Sequence, residues 1–157
     1  MNAEKKKSYT RRITTANKTQ MITILYEITL EYIDEAIHSI DQNKNQAFGD
    51  SIRKAQNCID ELILSTNTEY ELGVNFKRIY FFEKRQLLKA YAKKDVQYLI
   101  QAKGIFEKLH ASYLELEKHD KSGPIMVNTQ EVYAGMTYGK YSLLENMTFN
   151  QNRGYMA

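Results

Sequence analysis

The chain has 157 residues and a net charge of +3, and a chain of this length usually forms one domain. Residues 1–12 contain five basic residues and one Glu, so the positive charge is concentrated there and the rest of the chain is close to neutral, which argues against nucleic acid as the main partner. Cys58 is the only cysteine, no signal-peptide pattern is present, and no apolar run approaches about 18 residues, so we expect a cytosolic protein without an intrachain disulfide or membrane insertion.

Four segments of the chain have apolar residues at helical spacing. They predict a first helix that begins after Thr14, Thr15 or Asn17 and ends near Asp41, and further helices over about 50–64, 69–94 and 96–118. Short polar connectors with turn-forming residues separate them. We therefore predict an all-α protein, an antiparallel four-helix bundle within residues 1–122. The basic residues at the N-terminus are typical of a solvated tail.

The composition changes after Pro124, the only proline. Residues 123–157 contain few charges and many tyrosines and methionines, which are Met126, Tyr133, Met136, Tyr138, Tyr141, Met147, Tyr155 and Met156. A simple solvated tail is poorer in apolar residues. We expect residues 123–157 to form a C-terminal extension that packs on the bundle or on a partner.

The sequence offers little support for an enzyme. Two Glu-x-x-His pairs, Glu35 with His38 and Glu107 with His110, have the spacing that di-iron bundles use. On helical wheels these side chains point away from the apolar stripes or lie at their edge, whereas metal ligands must converge inside the bundle. No phosphate-binding loop or nucleophile elbow is present. We predict no catalytic residues, no metal and no cofactor.

The third predicted helix carries more apolar residues than one core face needs. Phe81, Phe82 and Leu88 lie outside its apolar stripe, which indicates either a groove filled by another helix or a wider core. Glu83 lies inside the stripe, so it must be paired, lie near a groove or show that the stripe is rotated. Its basic residues share one broad face that is typical of a solvated surface, and they are Lys77, Arg78, Lys84, Arg85, Lys89 and Lys93.

One segment resembles a known family. Residues 54–62, Lys-Ala-Gln-Asn-Cys-Ile-Asp-Glu-Leu, resemble the Lys-Ala-Gln-x-Ile-Ile-x-Glu-Leu helix of the flagellin export chaperones, the FliS family. Other positions within about residues 9–117 agree with the same family, and they are Tyr9, Thr15, Ala16, Met21, Leu25, Tyr26, Ile79, Tyr80, Arg85, Leu87, Ala90 and Asp95. The sequence departs from the family pattern at Lys18, Glu27, Ile28, Glu83, Tyr91 and Tyr113. These departures affect the detailed contacts more than the family.

The resemblance implies a cytosolic chaperone, a monomer or weak dimer, that binds the C-terminal segment of flagellin. Such a chaperone prevents early polymerisation and presents flagellin to a component of the export gate. An N-terminal cap that includes Tyr9 and Ile13 would lie over the binding groove and move aside. The residues expected to line the groove are Ile52, Ala55, Gln56 and Ile59 on the second predicted helix and Tyr80, Leu87 and Tyr91 on the third.

Two other classes of protein fit the same pattern. A general adaptor or regulatory bundle would have the same core and bind a different helical partner. A nucleic-acid binder would use residues 5–12 and the basic face of the third helix, and its affinity would fall steeply with salt.

Overall fold

The computed structural model describes residues 1–126, and these residues form five α-helices joined by short connections. The helices are α1 (Ala3–Thr15), α2 (Lys18–Asp41), α3 (Asn45–Ser65), α4 (Glu71–Lys93) and α5 (Val96–Glu117). Helices α2 to α5 are the four helices predicted from the sequence, so the all-helical bundle is confirmed. Residues 127–157, which make up most of the predicted C-terminal extension, lie outside the described residues.

The four long helices form a ring. Helix α2 packs on α3 and α5, and α4 packs on the same two helices from the other side. Consecutive helices with such short connections run antiparallel. The core between them is built from large side chains that are almost completely buried, namely Tyr26, Tyr32, Phe48, Ile59, Leu62, Tyr80, Leu87, Leu99 and Phe106. Among the described helices, none is long and apolar enough to cross a bilayer.

Local signals in the sequence define several helix ends. The Asn17 side chain accepts a hydrogen bond from the backbone N of Gln20 at 2.8 Å, and the Gln20 side chain accepts one from the backbone N of Asn17 at 3.0 Å. This reciprocal cap starts α2. Lys94 ends α4 in the left-handed conformation, with φ 50°, and Asp95 then caps α5.

The N-terminal segment differs from the solvated tail expected from its charge. It forms α1, in which Tyr9 and Ile13, four residues apart on one face, are 8% and 2% exposed. Asn2 caps this helix. Burial of these two side chains favours the docked helix by about 1.5–3 kcal/mol each, a contribution that the charge pattern of the segment does not indicate.

Helix α3 also begins about five residues earlier than predicted, at Asn45. Phe48 is 1% exposed and continues the buried stripe of Ile52 and Ala55 by one turn. Gly49 suggested a boundary because glycine is a poor helix former. The burial of Phe48 outweighs this local preference.

The chain after α5 returns to the start of α2. The Asn17 side-chain amide donates to the carbonyl O of Ser122 at 3.3 Å, and the backbone N of Ile125 donates to the carbonyl O of Ala16 at 3.0 Å. The Thr19 hydroxyl donates to the Asp120 carboxylate, and Met126 packs against the core. The chain is therefore attached to the bundle up to its last described residue.

Candidate partner-binding surfaces

A groove of about 440 Å³ lies between α3 and α4, and we call it the α3–α4 groove. Leu88 and Tyr91 form its α4 side and are 56% and 51% exposed. The α3 side is lined by Asn45, Gln46, Gly49, Asp50, Ile52, Arg53 and Gln56. Two large half-exposed apolar side chains next to an open groove are typical of a surface that binds another chain.

The α3–α4 groove is shaped by close packing at one end. The Tyr91 ring stacks on Phe48, with centroids 6.0 Å apart and the planes at 29°. A Cβ atom at Gly49 would lie 3.1 Å from Cε2 of Tyr91, so even alanine at position 49 would require the ring to shift by a few tenths of an ångström. Gly49 therefore permits the ring position that defines this end of the groove.

The residues predicted to form the flagellin-binding groove divide into two sets. Ile52, Gln56 and Tyr91 line the α3–α4 groove together. The other four are buried in the bundle core, at 1% exposure or less, and are Ala55, Ile59, Tyr80 and Leu87. Of this second set, Tyr80 also lines a separate groove at the other end of the bundle.

The predicted cap residues lie on α1, which packs along α2. Lys5 Nζ lies 2.6 Å from a Glu31 carboxylate oxygen, and Arg12 forms an ion pair with Glu27. Because α2 and α4 lie across the ring from each other, α1 does not cover the α3–α4 groove, and none of the residues lining that groove belongs to α1. The structure thus places the cap and this groove on different sides of the bundle.

A small polar network joins α1 to two other helices. Glu27 on α2 accepts from Arg12, and His110 Nε2 on α5 lies 3.3 Å from Glu27 Oε1. Burial opposes ionisation of Glu27, but the Arg12 hydrogen bond and charge outweigh it and lower the pKa of this carboxyl. Glu27 therefore holds α1 in place as an ionised carboxylate. Burial also raises the pKa of the Tyr9 phenol on α1 to about 12, so this side chain is uncharged at neutral pH.

A second groove, of about 380 Å³, lies between α4 and α5, and Phe82, Ile100, Gly104 and Lys108 contribute to it. Glu83 borders this α4–α5 groove although it is only 3% exposed. Among the described residues its Oε2 has no hydrogen-bond partner, and burial raises the pKa of this carboxyl to about 7. Glu83 is thus buried beside a groove, one of the three outcomes expected from its position in the stripe.

The remaining apolar residues of α4 lie outside the core. Phe81 and Phe82 are 49% and 48% exposed, so the alternative of a wider core is wrong. A ring of four helices can bury only one stripe of α4, and that stripe is occupied by Tyr80, Leu87 and Ala90.

A third groove, of about 300 Å³, lies at the end of the bundle where α2 and α4 begin, and we call it the end groove. Tyr70 and Leu72 on its rim are 68% and 67% exposed. Its lining residues are Lys18, Thr19, Ile22, Ser65, Thr66, Asn67, Tyr70, Leu72, Gly73, Phe76, Tyr80 and Tyr113. Sequence analysis did not identify this groove, because its residues come from three separate parts of the chain, 18–22, 65–80 and 113.

The two Glu-x-x-His pairs do not converge. Glu35 pairs with the amino group of Met1, and Lys103 lies between Asp34 and Glu107, 2.7 Å and 3.9 Å from their carboxylate oxygens. Within residues 1–126, no group of three or more His, Cys, Asp or Glu side chains is placed to hold a metal ion.

Comparison with known proteins agrees with the resemblance seen in the sequence. The family model described as flagellar protein FliS matches residues 1–120. The flagellar secretion chaperone FliS of Bacillus subtilis (strain 168) is 26% identical over 114 residues, which cover 71% of this chain and 86% of that protein. The residues matched by the family model include all five helices. This chain belongs to the FliS family.

Proposed function

We propose that this protein is a flagellar secretion chaperone that acts in the cytosol and binds the C-terminal segment of flagellin. The similarity to a flagellar secretion chaperone supports the class of function. The α3–α4 groove is the observation that supports a binding function, because Leu88 and Tyr91 expose about half of their surface there. An amphipathic segment that is disordered when free would fold as it places apolar side chains there. Bound flagellin would be kept from polymerising until a component of the export gate receives it.

Isothermal titration calorimetry of the full chain with a peptide from the flagellin C-terminus of the same organism, about 40 residues long, tests this function. Burial of apolar surface predicts a negative heat-capacity change and an affinity that depends little on salt. Leu88→Ala should weaken binding by about 10-fold or more, the loss typical of a buried interface anchor. Leu114→Ala is the matched control, because Leu114 is 41% exposed on α5 and lines none of the three grooves.

Other outcomes of the titration would refute the proposal. If no heat is released, the alternative of an adaptor with another helical partner is favoured. If both leucine variants lose the same affinity, the α3–α4 groove is not the binding site.

A nucleic-acid-binding function has less support in the distribution of charge. Lys5 pairs with Glu31, Arg12 with Glu27 and Lys84 with Asp60, so part of the basic surface is compensated by carboxylates. Binding of DNA or RNA with an affinity that falls steeply as salt is raised would reverse this preference.

Helix α1 would act as the cap that moves aside for part of the same flagellin segment. Tyr9 and Ile13 are buried where α1 packs on α2, and the ion pairs of α1 with Glu31 and Glu27 are partly exposed, so both can exchange with water. If α1 competes with flagellin, weakening it increases the binding-competent fraction and tightens binding. Ile13→Ala should therefore raise the affinity for the peptide, while Arg11→Ala, an exposed position on the same helix, should leave it unchanged. A lower affinity of Ile13→Ala would show that α1 is part of the binding site instead of a cap.

A further inference from the structure

The described part of the chain ends next to the end groove. Ile125 is hydrogen-bonded to the carbonyl O of Ala16, and Lys18 and Thr19, which follow on α2, line the groove. Consecutive Cα atoms are 3.8 Å apart, so Thr19, three residues after Ala16, lies within about 11 Å of it. The anchored end at Met126 is therefore adjacent to an open apolar groove.

The end groove fits an occupant that is apolar and almost uncharged. Within residues 1–126, Lys18 is the only charged residue that lines it, whereas Asp50 and Arg53 line the α3–α4 groove. Tyr70 and Leu72 are the most exposed large apolar side chains among the described residues. Their exposure to water is unfavourable, and an apolar segment that covered them would recover about 25 cal/mol for each Å² removed from water.

The chain itself supplies a segment of this chemistry. Residues 127–157 contain two acidic and two basic residues, Glu131, Glu145, Lys140 and Arg153. The same residues include large apolar and aromatic side chains, namely Tyr133, Met136, Tyr138, Tyr141, Leu143, Leu144, Met147, Phe149, Tyr155 and Met156. Methionine sulfur and tyrosine rings pack well against aromatic side chains such as Phe76 and Tyr113, which line the groove.

We propose that part of residues 127–157 occupies the end groove of its own chain and covers Tyr70 and Leu72. Ten extended residues span roughly 33 Å, so a few residues beyond Met126 are enough to reach the whole groove. A tethered segment is present at an effective concentration of the order of millimolar, which favours it over a free partner of similar affinity. This proposal does not depend on flagellin binding, because the end groove and the α3–α4 groove share no lining residue.

A spin label beside the groove tests the proposal in the full chain. Thr68 is exposed in the turn between Asn67 and Tyr70, so Thr68→Cys places a thiol at the rim without removing a lining side chain. Cys58 is completely buried and will not compete for the reagent. In ¹⁵N-labelled protein, amide signals from residues 127–157 should be lost when the nitroxide is attached at position 68. Ile100→Cys, near the start of α5 at the opposite end of the bundle, is the matched control and should leave those signals unchanged.

A pair of charge variants separates this proposal from the proposed function. Leu72→Asp should restore the signals of residues 127–157 and leave flagellin-peptide affinity unchanged. Leu88 is a similarly exposed leucine on the same helix. Leu88→Asp should weaken flagellin-peptide binding and leave the signals of residues 127–157 suppressed by the label at position 68. If flagellin peptide does not bind but the label at position 68 still removes the signals, only the proposed function fails.

Three results would overturn the proposal. Signals that persist with the label at position 68 would place the segment away from the end groove. Stronger loss with the label at position 100 would assign it to another surface. Loss that occurs when spin-labelled chains without ¹⁵N are mixed with ¹⁵N chains without a spin label, and that falls on dilution, would identify a second copy of the protein as the occupant.

Discussion

Replacement of Glu83 by Gln should stabilise the protein at neutral and higher pH. Glu83 is 3% exposed, and its Oε2 has no hydrogen-bond partner among the described residues. Burial raises the pKa of this carboxyl from 4.5 to about 7. Ionisation inside the bundle therefore costs free energy that an amide of the same shape does not.

The size and sign of the effect follow from this pKa difference. One pKa unit corresponds to about 1.36 kcal/mol, so the difference between the folded and unfolded chains amounts to about 3 kcal/mol. Between pH 4.5 and about 7 the folded chain binds more protons at Glu83 than the unfolded chain does, so this carboxyl lowers the free energy of unfolding as pH rises through that interval. Above about pH 7 the loss is complete.

Urea denaturation of the wild type and Glu83→Gln at pH 5 and pH 8 measures this contribution. We expect similar stability at pH 5 and a variant that is about 3 kcal/mol more stable at pH 8. The other titrating groups are common to both proteins and cancel in the difference. A difference that is the same at both pH values, or absent at pH 8, would show that Glu83 is not the strained buried carboxyl described here.

Two further predictions concern packing and hydrogen bonding inside the bundle. Gly73→Ala should destabilise the protein by about 1–3 kcal/mol, because the added Cβ would lie 1.7 Å from the carbonyl O of Asn67. Gly104→Ala should stabilise it by about 1 kcal/mol, because no atom lies within 4 Å of the added Cβ and alanine is the better helix former. Equal effects in thermal denaturation would contradict the difference in their surroundings. Tyr80→Phe should cost about 1–3 kcal/mol because it leaves the buried hydroxyl of Tyr26 without its partner. In a double-mutant cycle, Tyr26→Phe should lower the free energy of unfolding less in the Tyr80→Phe variant than in the wild type. Additive losses would exclude a coupled pair.

The family and the helical bundle could be predicted because they depend on local patterns. The stripe of Ile52, Ala55 and Ile59 has helical period, and the strings around it match the FliS pattern. The caps at Asn17 and Asp95 act within three residues, so the starts of α2 and α5 were predicted closely. Where a long-range contact opposed a local preference, prediction failed, as it did for α1 and for the first turn of α3.

The binding surfaces depended on tertiary structure. Helical spacing identified Ile52 and Leu87 equally as candidates, but only the packing of four helices shows that Ile52 lines a groove while Leu87 is completely buried in the core. Periodicity places a side chain on a face of its own helix and contains no information on how far a neighbouring helix covers that face. The predicted groove set was therefore a mixture of lining and core residues.

The sequence by itself determined the four long helices α2 to α5, their order, the family and the presence of more apolar surface on α4 than one core needs. Only the tertiary structure decided which part of that α4 surface remains exposed. It also decided that Lys5 and Arg12 hold α1 on α2, and that the chain returns after α5 to a groove at the end of the bundle. The physical reason is that helix formation and capping involve neighbours within about four residues, whereas a groove is the gap left between segments far apart in the chain.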